Sequence, residues 1–486
     1  MSVYNRRPEW TIVIKRPDYT SESISYKEVP EWSTNAQSKP MSVLFVDSKE
    51  RESTNAYTDL IGYEYKNSLS DPSGGFSLTL VPREDKNKKT WKDKIDKRDI
   101  VFIYEFRKLR YMGFVTGTTY SMAFNNGKPN RSITISGISL GGILESYNLP
   151  MNVYLLNTAD SLATFANDEF VNTINSSFSE GDDVNSALDL IREKFLSVSF
   201  AGQSSGMSPI FNKYFTTDAG ELQYKYPIAL RPFQIDTNNL WQIYQSMFPK
   251  PVYETFGIYE NGVYNLKIRE VPFDKADWDD LKSNKLDPAT LISQSFSDSD
   301  DELYTHYFSG MPLSPLGRNE MYGNQYLESV TVFDDEKFPQ YGYRSLEATF
   351  PFCDATQIDQ SSVLEFLKDN SIRLYDWYRN NSDFQSGKLT VHTLPDDDND
   401  LPQVGEKLSY MKGSAGEIQF YIEEITRKMS VPGSMTTSYS LTRGYEYGKN
   451  LITKDGYGFY SAQVQKISVT GLRFKQTEQN KFVSGT

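Results

Sequence analysis

The chain has little with which to do chemistry. Among 486 residues there is one cysteine, Cys353, and there are two histidines, His306 and His392. A single cysteine excludes an intrachain disulfide and a Cys-rich metal site, and Cys353 reads as a half-buried thiol ending a Phe-Pro-Phe-Cys strand. A His-Glu-x-x-His zinc signature is absent, the two histidines sit in strand patterns beside threonines, and no Gly-x-Ser-x-Gly elbow is expected, so no triad is read through either. The stretch from Gly137 to Gly142 lacks both the lysine of a phosphate loop and the Gly-x-Gly-x-x-Gly spacing, so no nucleotide cofactor is expected. No run of 18 apolar residues occurs, and the N-terminus has no apolar signal core. Neither a membrane-spanning helix nor a secretory signal is expected, and synthesis in a cytoplasm is.

Carboxylates are abundant but clustered. They fall in the runs Asp279/Asp280, Asp298/Asp300/Asp301 and Asp396/Asp397/Asp398/Asp400. A working acid pair needs one carboxyl raised by burial, whereas runs of aspartate belong to solvated loops. The spacing Asp396-x-Asp398-x-Asp400 imitates half of a calcium loop, but Leu401 and Lys407 stand where that loop needs Gly and Glu. No catalytic, cofactor-binding or metal-ligating residue is therefore assigned, and an enzyme is not expected.

What the sequence does have is acid and aromatic strand patterns. Lys+Arg 51 against Asp+Glu 64 gives −13, which disfavours wrapping nucleic acid but lets DNA pass without adhering. Hydrophobic residues make up 38% and aromatics 14%, with 33 tyrosines, so tyrosine must serve in strands and interfaces. The length implies several domains. Residues 1–147 show period-two strands at Trp10–Lys15, Phe76–Val81, Arg98–Ile103, Tyr111–Gly117 and Arg131–Gly137, with one helical turn at Trp91–Ile95. These predict a small closed or nearly closed barrel. Residues 148–299 read as a mixed α/β segment, with helices capped by Asp183 and Asp236, the second stopped by Pro249. Asn261-Gly262 marks a hairpin turn there. Residues 300–447 predict a second barrel with a long helix near 362–380, capped by Ser362-x-x-Glu365 and striped by Leu364, Leu367, Leu374 and Trp377. Residues 448–486 carry six cations against two acids and read as a basic extended arm, reaching a neighbouring subunit or returning to its own domain. The fold class is α+β, mainly β: two small tube-like β-barrels and a mixed middle.

The closing stretch carries the most specific pattern. Gly387–His392 is followed by Pro402-Gln403-Val404-Gly405-Glu406, then Gln419–Ile422, Arg427-Lys428, Thr436-Thr437 and finally Leu441-Thr442-Arg443-Gly444. Upstream stand Gly113-Phe-Val-x-Gly117 and Arg269-x-x-Pro-Phe273. In this order the motifs resemble the phage baseplate hub proteins (late-control D-like), the tail-tip hubs of phages, tailocins and contractile injection systems. The resemblance implies a homotrimer in which two tube-like barrels per chain make a six-fold-like ring. That ring joins a hexameric tail tube and its distal proteins to a trimeric central spike or fibre, and lets DNA or cargo pass without specific binding. It implies a place at the virion tail tip after synthesis in the host bacterial cytoplasm, and the charge of −13 per chain leads to the expectation that the channel is net negative. Only about forty residues follow Gly444, so no appended wall-cutting domain is expected. Two other readings stay open: a tail-associated cell-wall hydrolase using a carboxylate pair, and a carbohydrate-binding tail adhesin with a Tyr/Trp platform.

Overall fold

The computed structural model describes residues 10–17, 42–46, 52–56, 59–84, 88–125, 128–146, 185, 188–189, 192, 199–200, 203–204, 208–220, 222, 239–312, 326–350, 360–394, 400–411, 416–431, 434–446 and 468–472. Cys353, Asp183, Asp236 and Asp396 to Asp398 lie outside the described residues.

The molecule is mainly β, with curled sheets. The chain opens with β1 (Trp10–Lys15), β2 (Ser42–Val46) and β3 (Glu52–Ala56). Then come β4 (Leu60–Ser68), β5 (Phe76–Leu80), helix α1 (Trp91–Lys94), β6 (Ile100–Glu105), β7 (Lys108–Asn125) and β8 (Lys128–Ser139). Alternation drives this part: Phe76, Leu78 and Leu80 are buried while Ser77 and Thr79 are half-buried. The helical turn sits where the sequence places it, capped by a Thr90–Asp93 box, with the Trp91 indole N–H donating to Asp59 at 3.2 Å.

The middle segment holds α2 (Leu140–Ser146), the short pair β9 (Ser199–Phe200) and β10 (Gln203–Ser204), α3 (Ser208–Tyr214), β11 (Phe215–Asp218) and α4 (Leu240–Met247). The hairpin β12 (Tyr253–Glu260) and β13 (Val263–Glu270) turns at Asn261 and Gly262, with φ of 50° and 82°, the left-handed pair of a type I′ turn. Helix α4 buries Leu240, Trp241, Tyr244 and Met247, but its cap is Asn239, which accepts from Gln242 N–H at 2.8 Å.

Next come α5 (Lys275–Asp280), β14 (Ser283–Lys285) and β15 (Leu291–Ser297). A separate sheet is built from β16 (His306–Pro312), β17 (Tyr326–Phe333), helix α6 (Phe338–Tyr341) beside them, and β18 (Ser345–Thr349). Helix α7 (Gln360–Tyr378) packs on β16 and β17. It starts two residues before Ser362, which is therefore inside the helix and not its cap. The chain finishes with β19 (Gln385–His392), β20 (Lys407–Met411), β21 (Glu417–Ser430), β22 (Ser434–Glu446) and β23 (Ser468–Leu472). Strand β23 pairs antiparallel with β17 of the same chain, so of the two readings of the basic tail this stretch follows the return to its own domain.

One topology occurs twice. Strands β4-β5-β8-β7-β6 lie side by side in that order, and so do β15-β19-β22-β21-β20. Every neighbour in both runs is antiparallel. Two of the irregularities coincide too. The register shifts between Leu60 and Gly62 in one unit and between Leu291 and Ser293 in the other, and again at Val115/Gly117 and at Ile422/Glu424. Arg98 (φ 72°) and Gly405 (φ 77°) occupy matching left-handed positions. Arg98 N–H donates to Val115 O and Val115 N–H to Asp99 O; Gly405 N–H donates to Ile422 O and Ile422 N–H to Glu406 O. The second unit begins at Leu291, upstream of the boundary at 300 read from the sequence.

The units do not stand apart as two separate sheets. Strand β21 pairs with β4 from Glu424↔Ser68 to Ser430↔Gly62, fusing both into one 14-stranded sheet. Among the described residues no strand pair closes either unit on itself; each manages an edge by handing it to the other.

Candidate functional site: the seam between two strand units and their outer edges

The seam is held by a buried polar cluster. Arg427 on β21 faces Tyr65 on β4 in the strand register. Its guanidinium donates to the Tyr65 hydroxyl at 3.1 Å and to Pro402 O at 2.7 Å, and lies 3.9 Å from Glu105. Glu105, at the end of β6, accepts from the Tyr63 hydroxyl at 2.7 Å and the Tyr65 hydroxyl at 2.8 Å. Burial first, then the Glu105 charge, holds the Tyr63 hydroxyl well above its ordinary pKa, so it stays a donor. Burying two charges is tolerable only with such partners. On the outer face, Lys66–Glu424 at 2.8 Å and Lys428–Glu64 at 3.6 Å cross the same seam.

A second clasp lies at Asp400. Arg110 on β7 reaches it at 2.9 Å, Lys282 at 2.6 Å and Lys108 at 3.9 Å. Burial opposes its ionisation, but the hydrogen bonds from Lys282 and Arg110 prevail and hold the carboxyl far below the usual range. The residue that looked like a calcium ligand thus ties the first unit to the loop before β20.

The motif residues act as stitches. Gly405 leaves no room for a side chain: a Cβ would meet Arg269 Nη2 at 2.7 Å and Phe256 Cζ at 2.9 Å. Arg269 donates to Gly405 O, Glu254 and the Tyr421 hydroxyl, tying the middle hairpin to the second unit. Glu406 accepts from Gln403 N–H and Asn284 Nδ2, which shapes the Val-Gly-Glu turn. Arg443 donates to Trp377 O at 2.8 Å with its guanidinium 3.4 Å from the Trp377 ring centre. Gly444 beside it admits no Cβ, which would meet Phe420 Cε1 at 2.1 Å. The Leu-Thr-Arg-Gly motif therefore docks helix α7 onto β22.

The other residues singled out in the sequence are scattered. His306 lies among Phe333, Phe338 and Tyr343, with ring centres at 4.7, 5.7 and 4.2 Å, and burial pushes its imidazole pKa down. Its Nδ1 is 3.0 Å from the Thr305 hydroxyl. His392 is exposed at the end of β19. Asp279 and Asp280 end α5, where the Asp279 carbonyl accepts from Lys407 Nζ. Asp300 is 3.8 Å from Arg344. No group of three or more His, Cys, Asp or Glu that could hold a metal occurs among the described residues.

The sequence reading took a Gly-x-Ser-x-Gly elbow to be absent, but Gly137-Ile138-Ser139-Leu140-Gly141 spells that pattern at a strand-to-helix junction. Ser139 is 2% exposed; its hydroxyl donates to Pro72 O and accepts from Gly142 N–H at 3.2 Å. It acts there as a helix cap. A cavity of about 300 Å³ beside the seam is lined by Lys250, Tyr253, Glu254, Tyr378 and Glu423. Glu254 is committed to Arg269 and to the Tyr421 hydroxyl.

The outer edges were also missed. Strand β7 was expected to end at Gly117 but runs to Asn125, and its far half exposes Tyr120 (46%), Met122 (52%) and Phe124 (70%) on one face. Their spacing of two was the available signal. At the other end of the two-unit run, β15 has Ser293, Gln294 and Ser295 exposed in sequence, and Ile292 is 46% exposed.

No protein-family model and no curated protein matches the sequence. Among solved structures the chain is similar to a tail protein from Neisseria meningitidis MC58, at 11% identity over 81% of this chain and 94% of that one, with a TM-score of 0.48. It is similar to the 43 kDa tail protein of prophage MuSo2 from Shewanella oneidensis, at 13% identity over 80% of this chain and 96% of that one, with a TM-score of 0.45. A third is an E. coli component of the type VI secretion system, itself described as similar to T4 bacteriophage tail proteins, at 7% identity over 84% of this chain and 77% of that one, with a TM-score of 0.37.

Proposed function

We propose that this chain is a structural hub at the tip of a phage tail or phage-like injection machine. One observation carries the reading: the same five-strand topology, with two bulges in common, occurs twice and is joined edge to edge in one sheet. A chain with two equivalent units fills two positions in a ring. Three such chains supply six, which matches a six-fold tube on one face while keeping true three-fold symmetry for a spike or fibre on the other. The motifs that resemble baseplate hubs, Val404-Gly405-Glu406 and Leu441-Thr442-Arg443-Gly444, are the ones that fix turns and dock α7 within the second unit. On this reading the ring passes DNA or cargo, the wall is acidic, and the work is mechanical. Mass photometry of the purified chain, paired with a peptidoglycan-release assay, tests it. A trimer without muralytic activity supports the hub. A monomer whose wall-cutting is abolished by one carboxylate substitution supports the hydrolase instead.

A further inference from the structure

The two units repeat as a run of four wall strands, β15-β19-β22-β21 followed by β4-β5-β8-β7. Inside the chain the last strand of one run pairs with the first of the other, β21 with β4. The run then ends at two edges that are unpaired among the described residues: the far half of β7 and the outer side of β15. By the repeat, β7 is the counterpart of β21 and β15 of β4. We infer that these edges pair with each other between chains, β7 of one copy antiparallel to β15 of the next. The partner is a second copy of this chain, as the ring reading requires.

The register follows from the correspondence. The shared bulges and ladder partners align Val115 with Ile422, Tyr120 with Arg427 and Met122 with Met429. They likewise align Phe296 with Tyr65, Ser295 with Glu64 and Gln294 with Tyr63. Transferring Arg427↔Tyr65, Lys428↔Glu64 and Met429↔Tyr63 from the seam puts Tyr120 opposite Phe296 of the neighbouring copy, Ser121 opposite Ser295, and Met122 opposite Gln294.

Burial points the same way. Met429, covered by β4, is 1% exposed; its counterpart Met122 is 52% exposed. Arg427 is 4% exposed and its counterpart Tyr120 46%. Of the nine exposed large apolar side chains among the described residues, Tyr120, Met122, Phe124 and Ile292 lie on these two edges. An apolar strand edge left open is an aggregation hazard, and head-to-tail pairing that closes into a ring removes it. The chemistry also differs from the internal seam. There Lys428 pairs with Glu64 and Lys66 with Glu424, whereas the matching positions Ser121, Ser295, Ser297 and Gly117 carry no charge. The joint between copies therefore lacks these ion pairs and is salt-insensitive.

The test is disulfide trapping in a Cys353→Ser background, so that no other thiol remains. Opposed residues on antiparallel strands lie at Cα separations of about 4.5–5.5 Å, within disulfide reach. One chain carrying Ser121→Cys mixed with one carrying Ser295→Cys should give a covalent dimer on mild oxidation. Ser121→Cys mixed with Ser297→Cys, one same-face step out of register, should give at least about tenfold less. Met122→Asp should abolish assembly while leaving the melting temperature of the single chain unchanged, because the side chain is half exposed. Equal trapping in both mixtures, or an oligomer that traps in neither, overturns the pairing. An untrapped trimer sinks this joint and leaves the hub reading standing; a trapped ring of another copy number does the reverse. A chain that stays monomeric and untrapped sinks both.

Discussion

At the residue scale the molecule depends on a few buried charges with complete sets of partners. Replacing Arg427 by Met removes one member of the Arg427–Glu105–Tyr65 cluster and leaves Glu105, which is 0% exposed, with only two phenol donors. Chemical denaturation should show a loss of about 3–5 kcal/mol, against about 1–2 kcal/mol for Tyr65→Phe. Asp400 gives a pH signature. Its folded pKa lies far below the ordinary 3.8, held there by Lys282 and Arg110 against the opposing effect of burial. A depressed carboxylate stabilises the fold fully above its unfolded pKa, and that stability is lost as pH falls through the folded one. The melting-temperature gap between wild type and Asp400→Asn should therefore be widest at pH 5–8 and shrink below about pH 4. A gap that stays constant down to about pH 2.5 would remove the clasp from the account. Gly405→Ala should cost about 1–3 kcal/mol, through a left-handed backbone and the Cβ contact with Arg269.

At the element scale, legibility followed periodicity. The strand at Phe76–Leu80, the turn of helix at Trp91 and the Asn261-Gly262 hairpin were readable because local pattern and final structure agree, whereas the strand at Trp10–Lys15 was readable although both its faces are buried, Thr11 and Lys15 included. Cap positions were less so: α4 starts after Asn239 and α7 at Gln360, since a capping pattern does not reveal where the preceding chain bends. The far half of β7 went unread although Tyr120-Ser-Met-Ala-Phe124 alternates, because the stretch follows the glycine at 117 and lies outside the core. The pairing of β21 with β4 is set by partners more than 350 residues apart, which no local pattern encodes. The long hairpin tip makes a prediction of its own. Replacing residues 121–132 by a two-residue Asn-Gly turn between the paired Tyr120 and Ile133 should leave secondary structure and single-chain stability within about 1 kcal/mol, since only Ile133 and residues beyond enter the core ladder with β5. Circular dichroism and urea melts check this, and the same variant should no longer assemble.

At the scale of the whole molecule, the account rests on two equivalent units in one chain. The repeat explains why a sequence with two histidines and one cysteine, and no metal cluster among the described residues, still specifies so many long-range contacts: its content is pairing surface. On the proposed hub reading, the balance of −13 per chain multiplies around the ring, and a net negative channel wall is the expectation that goes with it. The most direct test is electron microscopy of the purified chain, with class averages viewed along the ring axis. The account predicts a closed ring of three chains showing six similar lobes around one channel. A single-chain particle, or a ring whose lobes equal its number of chains, would contradict it.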